Sequence, residues 1–382
     1  MSEAASGTST ADVVVVGAGI IGAAVFHELA DRGLRVTAVD TRRAGSGTTA
    51  WCGGVVRCYH DTPSLTDRAV AGWRYFHDFV RHTGVDVPFH TCGFLYVPRA
   101  DRVEYARAET SRIAAAEVPA EWLPPAEVTR RFGHLLRGEC HGAVWEPRSG
   151  YLDADRVTRG YLRAGQRKGG RLMEGVEVRG LLRSGERVTG VRTGPGAVHA
   201  GTVVLATGAW TPALLSSWGI PHDMWIQAIQ VDLRFPSTPL TGHPAYMDDL
   251  YDLNGRPDPD SAGVYVGHPT GLRLQDADRH EPADPAHSQS IRKAAGQRLR
   301  WMDDSHAGGG LRAPECHAPG TAARVGPLSR DSSLLLATGF NGGGFKMAPW
   351  AAAEVADLVT EAAAAPSTSS VPSRDTERRS AR

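Results

Sequence analysis

Lysine is almost missing from this chain. Only Lys168, Lys293 and Lys346 occur among its 42 basic residues, the rest being arginine. Arginine has taken the lysine positions wherever it will serve. A lysine retained inside a glycine-rich loop, as Lys346 is, is therefore expected to be chemically required. Net charge is missing too: 42 basic side chains face 42 acidic ones, so nothing points to nucleic acid or to an anionic membrane surface. Long apolar runs are absent. Residues 1–11 are small and polar, and the first apolar run, Val13 to Val16, is far too short for an export leader or a membrane span. The five cysteines (Cys52, Cys58, Cys92, Cys140 and Cys316) are odd in number, scattered, and form no CxxC. A reduced, cytoplasmic protein is expected. Fifteen histidines contain no HxxxH or HExxH spacing, so no metal site is expected, and no GxSxG frames a serine nucleophile.

Glycine, by contrast, is placed with purpose. Val13 to Val16 reads as a short buried strand, Gly19 to Arg32 has helical spacing closed by Gly33, and Leu34 to Asp40 is the next strand. The turn of this βαβ unit is Gly17-Ala18-Gly19-Ile20-Ile21-Gly22. Gly17 allows the tight turn, Gly19 lets a pyrophosphate approach backbone, and Gly22 lets helix and strand pack closely. Asp40 falls 23 residues after Gly17, about where a dinucleotide fold places the acid that holds a ribose hydroxyl. It would repel a 2′-phosphate. On this motif alone, FAD and NAD both remain open.

A second glycine loop lies near the other end, Gly339-Phe340-Asn341-Gly342-Gly343-Gly344-Phe345-Lys346. It stands between the apolar run Leu334 to Leu336 and an Ala-rich helical pattern from Trp350 to Ala365. Two such loops suggest one large cofactor gripped from both sides. Between them, helices are expected at Leu65 to His82 and Asp155 to Lys168. Short strands are expected from Pro88 to Trp145, strands and turns from Gly180 to Val204, and antiparallel alternation over 224–273. The expected fold class is α/β: a Rossmann-like cofactor domain (12–87, 150–217 and 318–365) with an inserted, mainly antiparallel substrate domain (88–149 and 218–317). Residues 1–11 and 366–382 read as flexible tails.

Over Asp12 to Leu358 the chain resembles the D-amino-acid oxidase superfamily of FAD enzymes, and most closely the monomeric sarcosine oxidase group. The residues that carry the resemblance, in order, are Val13–Gly22, Gly45-Ser46-Gly47-Thr48-Thr49 with Gly54-Val55-Val56-Arg57, and Glu146-Pro147-Arg148-Ser149-Gly150. They continue with Ala206-Thr207-Gly208-Ala209-Trp210, Gly271-Leu272-Arg273-Leu274, Arg312 to Cys316, and Gly339 to Lys346. The resemblance implies FAD contacts from Ser46, Thr48, Thr49, Gly208, Trp210, Gly339, Asn341, Gly342, Gly343, Gly344, Phe345 and Lys346, and covalent attachment of the flavin through Cys316. It implies that Arg57 and Lys346 hold a substrate carboxylate. Oxidation of an amine or amino acid to the imine would follow, with dioxygen reduced to hydrogen peroxide, in specialised metabolism and in a monomer or small oligomer.

Three positions depart from the group. Arg273 stands where it has an oxygen-activating lysine, Gly54 where it has a further arginine, and Val266 where it has a pocket tyrosine. The last two imply a substrate bulkier than sarcosine. Trp51, Tyr59, His60, Trp225, His268 and Trp350 are candidate lining residues or ordinary core. Arg273 leaves open a dehydrogenase that passes electrons elsewhere. A flavin-binding subunit of a larger complex is a third reading, which Arg57 and Lys346 together oppose.

Overall fold

The computed structural model describes residues 8–364 apart from 259, 280–281, 322 and 329–332. Residues 1–7 and 365–382, which hold most of both expected tails, lie outside the described residues. Two large sheets organise the rest. At the centre of the first, parallel strands run in the order Arg171–Glu174, Val36–Asp40, Ser9–Val16, Ala197–Leu205 and Leu334–Thr338. Val13 to Val16 form a continuous apolar run because both faces of this strand are covered. Val13 and Val15 enter one apolar cluster, Val14 and Val16 another. The helix Ile20–Asp31 lies between the helices Ala154–Arg167 and Gly344–Ala364 on one face. The first strand starts at Ser9, earlier than the sequence suggests, since Ser9 to Ala11 pair with Val198 to Ala200. Residues 9–11 are therefore not part of a tail.

The second sheet is mainly antiparallel. Its long strand Trp225–Pro236 pairs with Val264–Gly267 on one side and with Ser305–His317 on the other, and its burial alternates residue by residue. One pair, Ala245–Asp248 with Phe94–Val97, is parallel. Helices Val103–Ala115, Pro125–Phe132 and Pro285–Arg298 accompany this sheet, the first two in a segment the sequence reads as short strands. Their apolar stripes are thin: Val103–Ala115 buries only Ala106, Glu109, Thr110 and Ile113. Beneath the sheet a buried Arg298 Nε donates to Asp248 at 2.5 Å, while its Nη1 donates to the carbonyls of Arg137 and Glu139 at 2.9 Å. No helix among the described residues is long and apolar enough to cross a membrane.

Candidate functional site

The first glycine loop ends the strand Ser9–Val16 and opens the helix Ile20–Asp31. Gly17 has φ +93°, and a Cβ there would lie 2.5 Å from the Ala206 carbonyl oxygen. A Cβ on Gly22 would collide with the Gly17 carbonyl, so only glycine lets this helix start against its own loop. Thr49 Oγ1 accepts the Ile20 amide at 3.0 Å from outside the helix, since Gly19 offers no side-chain cap. Asp40 has two backbone partners, accepting from Ala18 N at 2.8 Å and from Arg42 N at 2.9 Å. Burial raises its carboxyl, against the pull of those two amides. Its first task is thus to hold the loop, which the spacing argument did not reveal.

A cavity of about 560 Å³ runs from Asp40 and Arg42 past Gly17, Gly19 and Gly208 to Phe345. Glycine backbone and the N-terminus of the helix Ile20–Asp31 meet in its wall, a place that fits a phosphate. Val176 and Trp210 line it near Asp40, with Cys52, Ile229 and Glu315 elsewhere in the wall.

The second glycine loop lines the same cavity. Gly339, Asn341 and Gly342 all have left-handed φ, at 69°, 49° and 84°. Asn341 tolerates this because its carboxamide is tied down: Oδ1 accepts from Ala318 N at 2.9 Å and Nδ2 donates to the Gly320 carbonyl at 2.9 Å. Its side chain is committed to the scaffold, although the residue lines the cavity. Phe345 lines it too, its ring stacked on Phe76 at 5.0 Å.

Behind this loop lies a cluster of cations. Lys346 is buried in the first turn of the helix Gly344–Ala364, at the positive end of the helix dipole. Burial, and then the Arg57 guanidinium, lower its ammonium to about 7. Burial also lowers Arg57, whose guanidinium donates to the Tyr59 carbonyl and lies 5.1 Å over the Phe94 ring. His60 Nε2 is buried without a hydrogen-bond partner. Burial, then Arg57 and Lys346, hold this imidazole well below its ordinary value, hence neutral. Glu146 organises the strip. Fully buried, it accepts from Cys58 N at 2.8 Å, Tyr59 N at 2.7 Å and Ser149 Oγ at 2.5 Å. It was quoted above only as part of a motif. The signal for its role was a carboxylate at the end of the apolar run Ala143-Val144-Trp145.

Other expected residues fall elsewhere. Gly47, Thr48 and Thr49 line the cavity, but Ser46 does not, its hydroxyl donating to the Arg43 carbonyl at 2.6 Å. Gly343 and Lys346 stand just behind the lining. Arg273 is exposed, with its guanidinium 4.4 Å over Trp225, and is not brought to the cavity. Cys316 lines the cavity, but its thiol also faces Met224 Sδ at 4.0 Å, and burial raises it. Gly54 is more than a missing arginine: φ is +64°, and a Cβ would collide with the Leu152 carbonyl. Of the aromatic candidates Trp51 lines the cavity, whereas Tyr59 stacks on Tyr96 and Trp350 lies under Arg68. Val266 is wholly buried in the core of the second sheet. No group of three or more metal-ligating side chains is assembled among the described residues.

Comparison with known proteins meets this geometry. The sequence profile of the family described as FAD dependent oxidoreductase (DAO) matches residues 12–358. The chain is 27% identical over 358 residues to 4-methylaminobutanoate oxidase (formaldehyde-forming) of Paenarthrobacter nicotinovorans, covering 91% of this chain and 43% of that longer protein. It is 26% identical to monomeric sarcosine oxidase of Streptomyces avermitilis, covering 91% and 93% of the two chains. Glycine oxidase of Pseudomonas aeruginosa is 29% identical, covering 91% and 94%. Among solved structures, L-proline dehydrogenase from P. horikoshii superposes with a TM-score of 0.83 at 23% identity, covering 93% and 94%, a likeness of fold. Two glycine loops lining one cavity, joined to a family match over nearly all the described residues, make this chain an FAD-dependent oxidoreductase of the DAO family.

Proposed function

We propose that the protein oxidises a carboxylate-bearing secondary amine or amino acid to the imine, with electrons passing to dioxygen to give hydrogen peroxide. One observation carries the reading. A buried Lys346 and half-buried Arg57 and His60, the last neutral with Nε2 unpartnered, come together beside the second glycine turn, and no described carboxylate stands within ion-pair distance of Lys346. Glu146 acts on both cations and Glu315 on Lys346 from a distance, but neither cation is in an ion pair, so the pair can still receive an anion from outside. Arginine offers a planar fork and lysine a point charge, which together orient a carboxylate. The names of the relatives point the same way, since 4-methylaminobutanoate, sarcosine and glycine each carry an amine and a carboxylate.

FAD would lie with its phosphates against Gly17, Gly19 and the Ile20–Asp31 helix start, and its ring against the Gly339–Phe345 loop. Bound there, FAD supplies the acceptor for the hydride equivalent leaving the substrate α-carbon. The chain's own residues fix the carboxylate, exclude water and present the α-carbon in one orientation. Two thiols line the cavity, Cys52 and Cys316. We assign covalent attachment to Cys316. Acid precipitation should then give a yellow pellet from the unmodified protein and from C52S, and a colourless one from C316S.

Anaerobic mixing with a panel of amino acids, cyclic imino acids and carboxylate-free amines tests the main proposal. Carboxylate-bearing amines should bleach the flavin. Equal bleaching by amines without a carboxylate would refute the anion site. The position of Arg273 outside the cavity favours a second reading, a dehydrogenase that uses another acceptor. Peroxide formed in stoichiometric amount under air supports the oxidase, and flavin that stays bleached in air supports the dehydrogenase.

A further inference from the structure

Glu315 has no place in the reading so far. In the strand Ser305–His317 successive side chains point to opposite faces. Cys316 turns to Met224, while Glu315 and His317 share the other face. Glu315 lines the cavity. A Cβ on Gly342 would lie 3.6 Å from Glu315 Oε2, and one on Gly343 would lie 3.8 Å from Lys346 Nζ. Opposite charges therefore flank consecutive residues of one turn, and the field of Glu315 reaches both Lys346 and Cys52. The carboxylate is not used up by the protein. Its ion-pair partner is His317 Nε2 at 3.4 Å, a nitrogen that forms no hydrogen bond. Glu315 in the cavity wall, with the cationic Lys346 just behind that wall, favours a molecule that carries both charges. Loss of either substrate charge leaves a protein charge unpaired and desolvated.

We propose that Glu315 receives the ammonium of an amino-acid substrate bound as its zwitterion, while Arg57 and Lys346 hold the carboxylate. The inference rests on the carboxylate site above and narrows the substrate class. Amino acids should be preferred over carboxylates or amines that carry a single charge. Glu315 thereby sets specificity in a wall that would otherwise bind any small carboxylate.

The test uses the flavin-loaded full chain under anaerobic conditions and reads ligand binding from the flavin absorbance before any bleaching. Each zwitterion is paired with an isosteric carboxylate: L-proline with cyclopentanecarboxylate, N-methylglycine with butanoate, glycine with propanoate. The unmodified protein should bind at least one zwitterion roughly tenfold more tightly than its partner. E315Q should weaken the zwitterion and strengthen the carboxylate, so that their ratio falls towards one. E315D, which keeps the charge, should retain the preference. If Glu315 serves only to offset Lys346, E315Q will strengthen both ligands equally and the ratio will not move, which overturns the inference. A ratio near one for every pair in the unmodified protein overturns it as well. If no carboxylate binds at all, the Arg57–Lys346 site fails and this inference fails with it, an outcome distinct from the other two.

Discussion

Lys346 is a cation at the wrong end of a helix, buried, and facing a second cation. Each circumstance opposes its charge, and its ammonium falls from an ordinary 10.5 to about 7 in the ligand-free protein. In the unfolded chain the same group stays protonated until far higher pH. Between these two values the unfolded state binds more protons, so stability rises with pH. The penalty is complete below pH 7 and is relieved as pH climbs. From pH 7 to 9 the ligand-free protein should gain about 2 kcal/mol from this residue, measured by denaturant midpoints at each pH. K346M should flatten the rise, and a K346M curve parallel to that of the unmodified protein would count against a strained ammonium. A bound carboxylate should flatten it too, by restoring the charge. The scarcity of lysine made Lys346 legible in the sequence. Glu146 and His60 were less so, because burial and an unpaired ring nitrogen are three-dimensional facts. Arg273 shows the converse: its place in a motif says nothing about which way the side chain turns.

At the scale of elements, what the sequence revealed best were units whose pattern is local. The βαβ opening is one, because buried parallel strands read as apolar runs and the turn between them demands glycine at fixed offsets. The helix Pro285–Arg298 is the opposite case, with Ile291 its one large buried aliphatic side chain. Contacts between remote elements were the least legible. Gly72 lies in the helix Pro63–His77, where nothing in the sequence distinguishes it from a poor helix former. In the fold a Cβ there would collide with the Lys346 carbonyl. Helix-on-helix contact at this residue therefore sets where Lys346 begins its helix. In isolation G72A should favour its own helix by roughly 0.5–1 kcal/mol. Here it must push the Gly344–Ala364 helix away, and a shift of this kind misplaces the ammonium. We expect G72A to keep its flavin but to lose roughly tenfold or more in affinity for a carboxylate ligand, seen by flavin absorbance titration. Unchanged affinity would mean that the two helices adjust without moving Lys346.

At the scale of the whole molecule, the cavity lies where the two sheets meet. Thr48 Oγ1, from the loop after the first βαβ unit, donates to the Pro314 carbonyl of the other sheet at 2.8 Å. At the Asp40 end the closure is made by side chains. Trp210 Nε1 donates to Asp278 Oδ1 at 2.8 Å, the Arg42 guanidinium lies 4.2 Å over the Trp210 ring, and Arg42 and Asp278 are 3.6 Å apart. Trp210 also lies against Gly47, where a Cβ would be 3.0 Å from its ring. All three side chains line the cavity. The Arg42–Asp278 pair is exposed and contributes little by itself. The hydrogen bond from an indole to a carboxylate is the stronger contact, at about 1 kcal/mol after allowance for its exposure. D278A removes it and frees Trp210 to swing from the mouth. In a protein of this size that loss corresponds to a melting temperature lower by about 1 °C for the flavin-loaded form. D278N keeps an acceptor oxygen and should fall by less. The apoprotein, which has nothing to retain behind Trp210, should show a smaller difference between D278A and the unmodified chain. If both forms drop equally, the contact is a general tie between the two halves. A larger drop in the loaded form makes Trp210 a cover held over the cofactor.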